Sequence, residues 1–171
     1  MTRIELKTTI VGDIEGVFDL SRDISFHMKS ASQTKEKAVA GTTEGLIGLN
    51  ETVSWKGKHF GLWLRHTSKI VQMDRPNVFV DLMIDGHFTY FVHKHLFEQT
   101  DEGVLMKDEL LYKVPYGLLG RIFDKLILKN YLTRFLEHRN QMIKEAIETK
   151  VKTTYTGQVT AAYKQSHPLF I

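Results

Sequence analysis

The chain has 171 residues, 42% of them hydrophobic, enough for one domain with a substantial core. It contains no cysteine, which excludes disulfides, thiolate metal sites and cysteine nucleophiles and fits a reducing, cytoplasmic setting. The net charge of +3 comes entirely from Lys150, Lys152 and Lys164, leaving residues 1–148 neutral, so the folded body offers no basic face for nucleic acid.

Residues 3–11 alternate Ile4 and Leu6 with Glu5 and Lys7, the pattern of a half-buried first strand. That segment has neither the apolar run of a signal peptide nor the length of a membrane span. Gly12-Asp13 breaks it, and Asp13 is placed to cap a short helix whose Ile14, Val17, Phe18 and Ser21 share one face. A second short helix is expected over residues 21–29. Six strands follow, at residues 36–40, 48–55, 59–73, 78–85, 87–99 and 104–114. Turn chemistry separates them at Gly41 to Gly45, Lys56-Gly57, Arg75-Pro76-Asn77, Asp85-Gly86 and Asp101-Glu102-Gly103.

Pro115-Tyr116-Gly117 ends the last strand. From there to Ile147, apolar residues recur at three-and-four spacing, including Leu118, Ile122, Leu126, Tyr131, Phe135, Ile143 and Ile147, predicting one long amphipathic helix laid on the sheet. The remainder, 149–171, has no clear period and is expected to be a flexible basic tail to a 1–148 domain. The fold class is α+β: a seven-stranded curved antiparallel sheet, two short helices and a long C-terminal helix.

This order resembles the helix-grip fold of the START/Bet v1-like (SRPBCC) superfamily, and within it the polyketide cyclase/dehydrase-like proteins. The residues that carry the resemblance are Phe18-Asp19-Leu20, the block Gly45-Leu46-Ile47-Gly48-Leu49-Asn50-Glu51, Gly86-His87-Phe88, and His93-Lys94-His95-Leu96-Phe97-Glu98. To these are added Met106-Lys107-Asp108 and Pro115-Tyr116-Gly117-Leu118-Leu119-Gly120. The resemblance implies a cavity between sheet and helix that takes a small hydrophobic molecule such as a lipid, quinone, polyketide or aromatic metabolite. It implies no metal and no cofactor. Some members are enzymes, so fold alone does not fix the activity.

Turn length sets strand register. Centring the last hairpin on Asp101-Glu102 pairs Phe91 with Tyr112, His93 with Leu110, His95 with Asp108 and Phe97 with Met106. Lys94, Lys107, Glu109 and Lys113 then face solvent. A two-residue turn at Asp85-Gly86 would add Val80, Leu82 and Ile84 to the inner face and send Asp81 outward. The expected cavity residues are Leu82, Phe91, His93, His95, Met106, Asp108, Leu110 and Tyr112 from the sheet, with Tyr131 and Phe135 from the helix. Glu51 is read either as a carboxylate that orients the ligand or as a rim residue paired with Arg65 or Lys58.

His93, His95 and Asp108 share a face and are the candidate catalytic group. Three readings are open for them: a polar cluster that recognises a ligand, hydrogen-bonded core histidines, or imidazole and carboxylate donors of the kind that suit zinc or iron. In an enzyme, a histidine would act as base and Asp108 would orient it, on an enolisable substrate such as a polyketide. Walker-type glycine loops, Gly-x-Ser-x-Gly elbows and dinucleotide fingerprints are absent. Three lysines in the tail are too few for stable membrane attachment, and the sequence names no protein partner.

Overall fold

The computed structural model describes residues 1–166, with side chains through Thr153. Its elements are β1 (Thr2–Ile10), α1 (Ile14–Ser21), α2 (Ile24–Ser30), β2 (Lys37–Gly41), β3 (Thr52–His59), β4 (Leu62–Asp74), β5 (Val78–Asp85), β6 (Tyr90–Thr100), β7 (Gly103–Lys113), α3 (Gly117–Phe123) and α4 (Lys129–Ser166). The seven strands form one antiparallel sheet in the order β1-β7-β6-β5-β4-β3-β2. Asp13 caps α1 by accepting from the Gly16 amide, and Asp23 caps α2 by accepting from Phe26, so each carboxylate satisfies an amide that lacks an intrahelical partner.

The β6–β7 hairpin has the register its turn predicts, with Phe91 opposite Tyr112, His93 opposite Leu110, His95 opposite Asp108 and Phe97 opposite Met106. Two other turns fall elsewhere. The β3–β4 hairpin turns at Phe60-Gly61, both with positive φ (52° and 83°), instead of at Lys56-Gly57. This is the left-handed pair that two-residue hairpins favour. Gly57 lies within β3, where its missing side chain leaves room for Glu36 and His59. Between β5 and β6 the chain spans residues 86–89, and Val78 to Leu82 pair with Leu96 to Val92. This longer loop reverses the inner face expected for β5: Phe79 and Asp81 point to the cavity, whereas Leu82 does not line it.

The long helix also departs from its expected course. Residues 124–128 form a π-helical turn between α3 and α4. This wider turn directs Asp124 inward, where it accepts hydrogen bonds from Tyr112 Oη at 2.5 Å and from Thr2 Oγ1. Up to the end of that π-helical turn, Leu118, Leu119, Leu126 and Ile127 remain exposed instead of packing on the sheet. Beyond it, Leu136, Ile143 and Ile147 are buried. α4 continues without a break past residue 148 to Ser166, and His167 to Ile171 lie outside the described residues.

The interior divides into two apolar clusters. One contains Phe18, Phe97, Val104, Met106, Ile143 and Ile147; the other contains Ile4, Leu110, Tyr112, Leu128 and Leu136. Between them, at successive inward positions of three elements, lie His93 and His95 on β6, Asp108 on β7, and Arg139 and Asn140 on α4, all buried. A polar layer thus crosses the core.

Candidate functional site

Beside that layer is a cavity of about 220 Å³. A dry apolar cavity of roughly 150 Å³ already admits a benzene ring. Its wall is aromatic, with Trp55, Phe79, Phe88, Phe91, Tyr131 and Phe135 among the lining residues. Phe60 both lines the cavity and is half exposed, so it marks the opening. It packs against Tyr131 and against Phe123 of α3, with ring centroids 4.6 and 5.5 Å apart.

The polar part of the lining is dominated by imidazole. Six of the chain's eight histidines line the cavity: His27, His59, His66, His87, His93 and His95. His59 Nδ1 is 2.7 Å from Tyr131 Oη, and His27 Nε2 is 3.5 Å from the buried carboxylate of Glu36. Burial lowers the pKa of His59, His66 and His93, which favours neutral imidazole at pH 7.

At the polar layer, Asp108 Oδ1 accepts from His93 Nε2 at 2.9 Å, and Asp108 Oδ2 accepts from Asn140 Nδ2 at 2.7 Å. Arg139 Nη1 lies 3.6 Å from Asp108, while its Nη2 donates to the Ser21 carbonyl at 2.7 Å. Burial alone would raise the Asp108 pKa. His93 and His95 outweigh it and hold the carboxyl well below the usual range. His95 Nδ1 is 2.9 Å from Asp108 Oδ1 but poorly aligned with it, so this buried nitrogen has no directed hydrogen bond. His95 Nε2 instead faces Asp81 Oδ2 at 3.3 Å, and its ring stacks on Phe79 with centroids 4.2 Å apart. Asp81 is ionised as well: burial pushes its pKa up, and the contact with His95, with the charges of His93, His95 and Arg139, pulls it below 3.8.

The structure thus places Phe91, His93, His95, Leu110, Tyr131 and Phe135 at the cavity surface. Asp108 lies directly behind the two histidines. Met106 and Tyr112 are core residues, and the Tyr112 hydroxyl is taken by Asp124. Glu51 is exposed and accepts from the Gly48 amide at 2.7 Å, which makes it a turn residue outside the cavity. Three participants escape a strand-by-strand reading. Asp81 interrupts the apolar run from Val78 to Ile84, and Asn140 interrupts the stripe formed by Leu136, Ile143 and Ile147; a polar residue at a core position was the available signal for each. Glu36, buried near three histidines, left no comparable signal.

A sheet gripping a long helix around a cavity defines the class, and the chain has the START/Bet v1-like fold. No family model and no curated protein matches its sequence. Among solved structures it is similar to a protein of Thermus thermophilus, with TM-score 0.67, 17% identity, and coverage of 85% of this chain and 99% of that one. It is also similar to major latex-like protein 151 of Panax ginseng, with TM-score 0.64, 15% identity, and coverage of 85% and 97%. A START superfamily protein of Mycobacterium smegmatis gives TM-score 0.64, 13% identity, and coverage of 86% and 97%.

Proposed function

We propose that the protein binds or carries a small, largely apolar molecule in this cavity, with the ligand's polar end directed at His93, His95 and Asp81. The observation that carries the reading is an aromatic-walled cavity on which Asp81, His93, His95 and Arg139 present a compact polar cluster, the usual composition of a small-molecule site. The exposed apolar residues of α3 next to Phe60 support entry of an apolar ligand from that side. No helix among the described residues is long and apolar enough to cross a membrane. Native mass spectrometry of the protein from its own source, followed by denaturing extraction, tests the proposal. A stoichiometric apolar molecule supports it. A bare chain that also fails to bind lipids, quinones, polyketides and aromatic metabolites overturns it.

A second reading is an acid/base enzyme of the cyclase, dehydratase or hydrolase type. It is favoured by the hydrogen bond that orients His93 on Asp108 and by burial, which outweighs that bond and lowers the imidazole's pKa at the cavity wall. Turnover lost in His95→Ala and His93→Ala, with ligand binding retained, would select it over simple carriage.

A further inference from the structure

We propose that Asp81, His93 and His95 form a binding site for a divalent transition ion, zinc by its donor set, open to the cavity. One donor atom from each of the three residues lies within 4.8 Å of the other two. In a tetrahedral zinc site, adjacent nitrogen and oxygen ligands stand roughly 3.4 Å apart. The His95 Nε2 to Asp81 Oδ2 separation of 3.3 Å already meets that requirement. The remaining distances close by side-chain rotation, because His93 and His95 are alternate residues on one face of β6 and Asp81 stands opposite His93 on β5.

The surroundings are built for the purpose. Metal-bound histidines almost always direct their second nitrogen at a carboxylate or carbonyl, which fixes the ring and raises its basicity. Here a single carboxylate serves both rings: Asp108 Oδ1 is 2.9 Å from His93 Nε2 and 2.9 Å from His95 Nδ1. His93 Nδ1 and His95 Nε2 are thereby left as the donors. The misaligned contact at His95 Nδ1 also acquires a reason, since a metal bond at Nε2 draws the ring round and turns the Nδ1 proton toward Asp108. Asn140 and Arg139 hold Asp108 in place from α4.

The charges agree. Two carboxylates, Asp81 at 3.3 Å from His95 Nε2 and Asp108 behind both rings, face one guanidinium, Arg139, so the donor set and its surroundings offer a divalent cation more carboxylate than cationic neighbours. Three protein ligands leave a fourth position on the cavity side. That position suits water or an oxygen donor of the cavity's occupant, preferably an anionic one. The inference stands independently of an apolar ligand.

The test uses the full, untagged chain after treatment with EDTA. Titration with zinc in a calorimeter is expected to show one equivalent bound, and cobalt to give the visible ligand-field bands of a low-coordinate site. Asp81→Asn and His95→Gln should each abolish binding, and Asp108→Asn should weaken it by about 10- to 100-fold. Zinc-edge X-ray absorption on the wild-type protein should resolve two imidazole ligands, a readout that does not depend on any variant folding. Absence of stoichiometric zinc binding, binding indifferent to Asp81→Asn and His95→Gln, or a spectrum with fewer than two imidazoles overturns the inference. An apolar ligand found bound in a protein that takes no zinc would overturn this inference and leave the carrier function standing.

Discussion

Asn140 Nδ2 donates to Asp108 Oδ2 at 2.7 Å, joining the long helix to the central sheet through one charge-assisted hydrogen bond inside the core. Hydrogen bonds to charged groups contribute about 1.5–3 kcal/mol, and a buried acceptor that loses its donor bears its own desolvation cost. Asn140→Ala is therefore expected to lower unfolding free energy by about 2 kcal/mol in urea titrations. Asp108→Ala should cost more, about 3–5 kcal/mol, because it strips a buried guanidinium and two imidazoles of their common partner. Equal, small losses for both would mean that the layer does not act as a connected unit.

Truncations should separate the packed end from the hollow end. Ile143 is fully buried among Phe18, Met106 and their neighbours, so Ile143→Ala should cost about 2–5 kcal/mol through lost transfer energy and a new void. Leu132 is only partly buried and already borders the cavity, so Leu132→Ala should cost less than about 1.5 kcal/mol. Binding of an apolar probe should change in the Leu132 variant and not in the Ile143 variant, measured at a temperature where both are folded.

Acid should release the contact between α1 and the β4–β5 turn. Arg75 Nη2 and Arg22 Nη2 each donate to the Asp19 carboxylate at 2.7 Å. Burial pushes the Asp19 pKa up, but the hydrogen bonds from Arg75 and Arg22 and their charges outweigh it and hold it below 3.8. Because the folded value lies below the unfolded one, the stabilisation is complete above the unfolded pKa and disappears as pH falls through the folded pKa. The difference in urea midpoint between wild type and Asp19→Ala should be constant above about pH 5 and narrow below the unfolded pKa. A difference that widens in acid would contradict the assignment.

The overhanging face of α3 and of the π-helical turn that follows it should tolerate charge. Leu119 is 77% exposed and Leu126 is 67% exposed, so Leu119→Lys and Leu126→Lys should alter stability by no more than about 0.5 kcal/mol. Both should reduce retention on a hydrophobic-interaction column. A loss of several kcal/mol would place these side chains in a packed core instead.

Where the turn was unambiguous, the sequence was enough. Asp101-Glu102 closes a two-residue hairpin, and the register it sets brings His93, His95 and Asp108 together as expected. Asp85-Gly86 misleads because it has the chemistry of a tight turn while the chain spans four residues there. That difference exchanges the two faces of β5, removing Leu82 from the cavity and adding Asp81. Gly57 misleads similarly, since a glycine within a strand, kept small for its neighbours, looks the same in sequence as one that turns the chain. Helical periodicity places Leu118 and Leu126 on an apolar stripe, but it cannot tell a stripe resting on the sheet from one beyond its edge. The π-helical turn at residues 124–128 separates the two cases and left no periodic signature.

The polar layer across the interior has a bearing on how such a chain can change. Phe18, Phe97, Val104, Met106, Ile143 and Ile147 fill one end and touch no part of the cavity, so most substitutions there are resisted by the cost of repacking. At the other end, Phe60, Leu132 and Phe135 border empty space, and exchanging them reshapes the cavity while disturbing few packed neighbours. A lineage could therefore reshape the cavity one wall residue at a time while the same buried foundation went on specifying the fold.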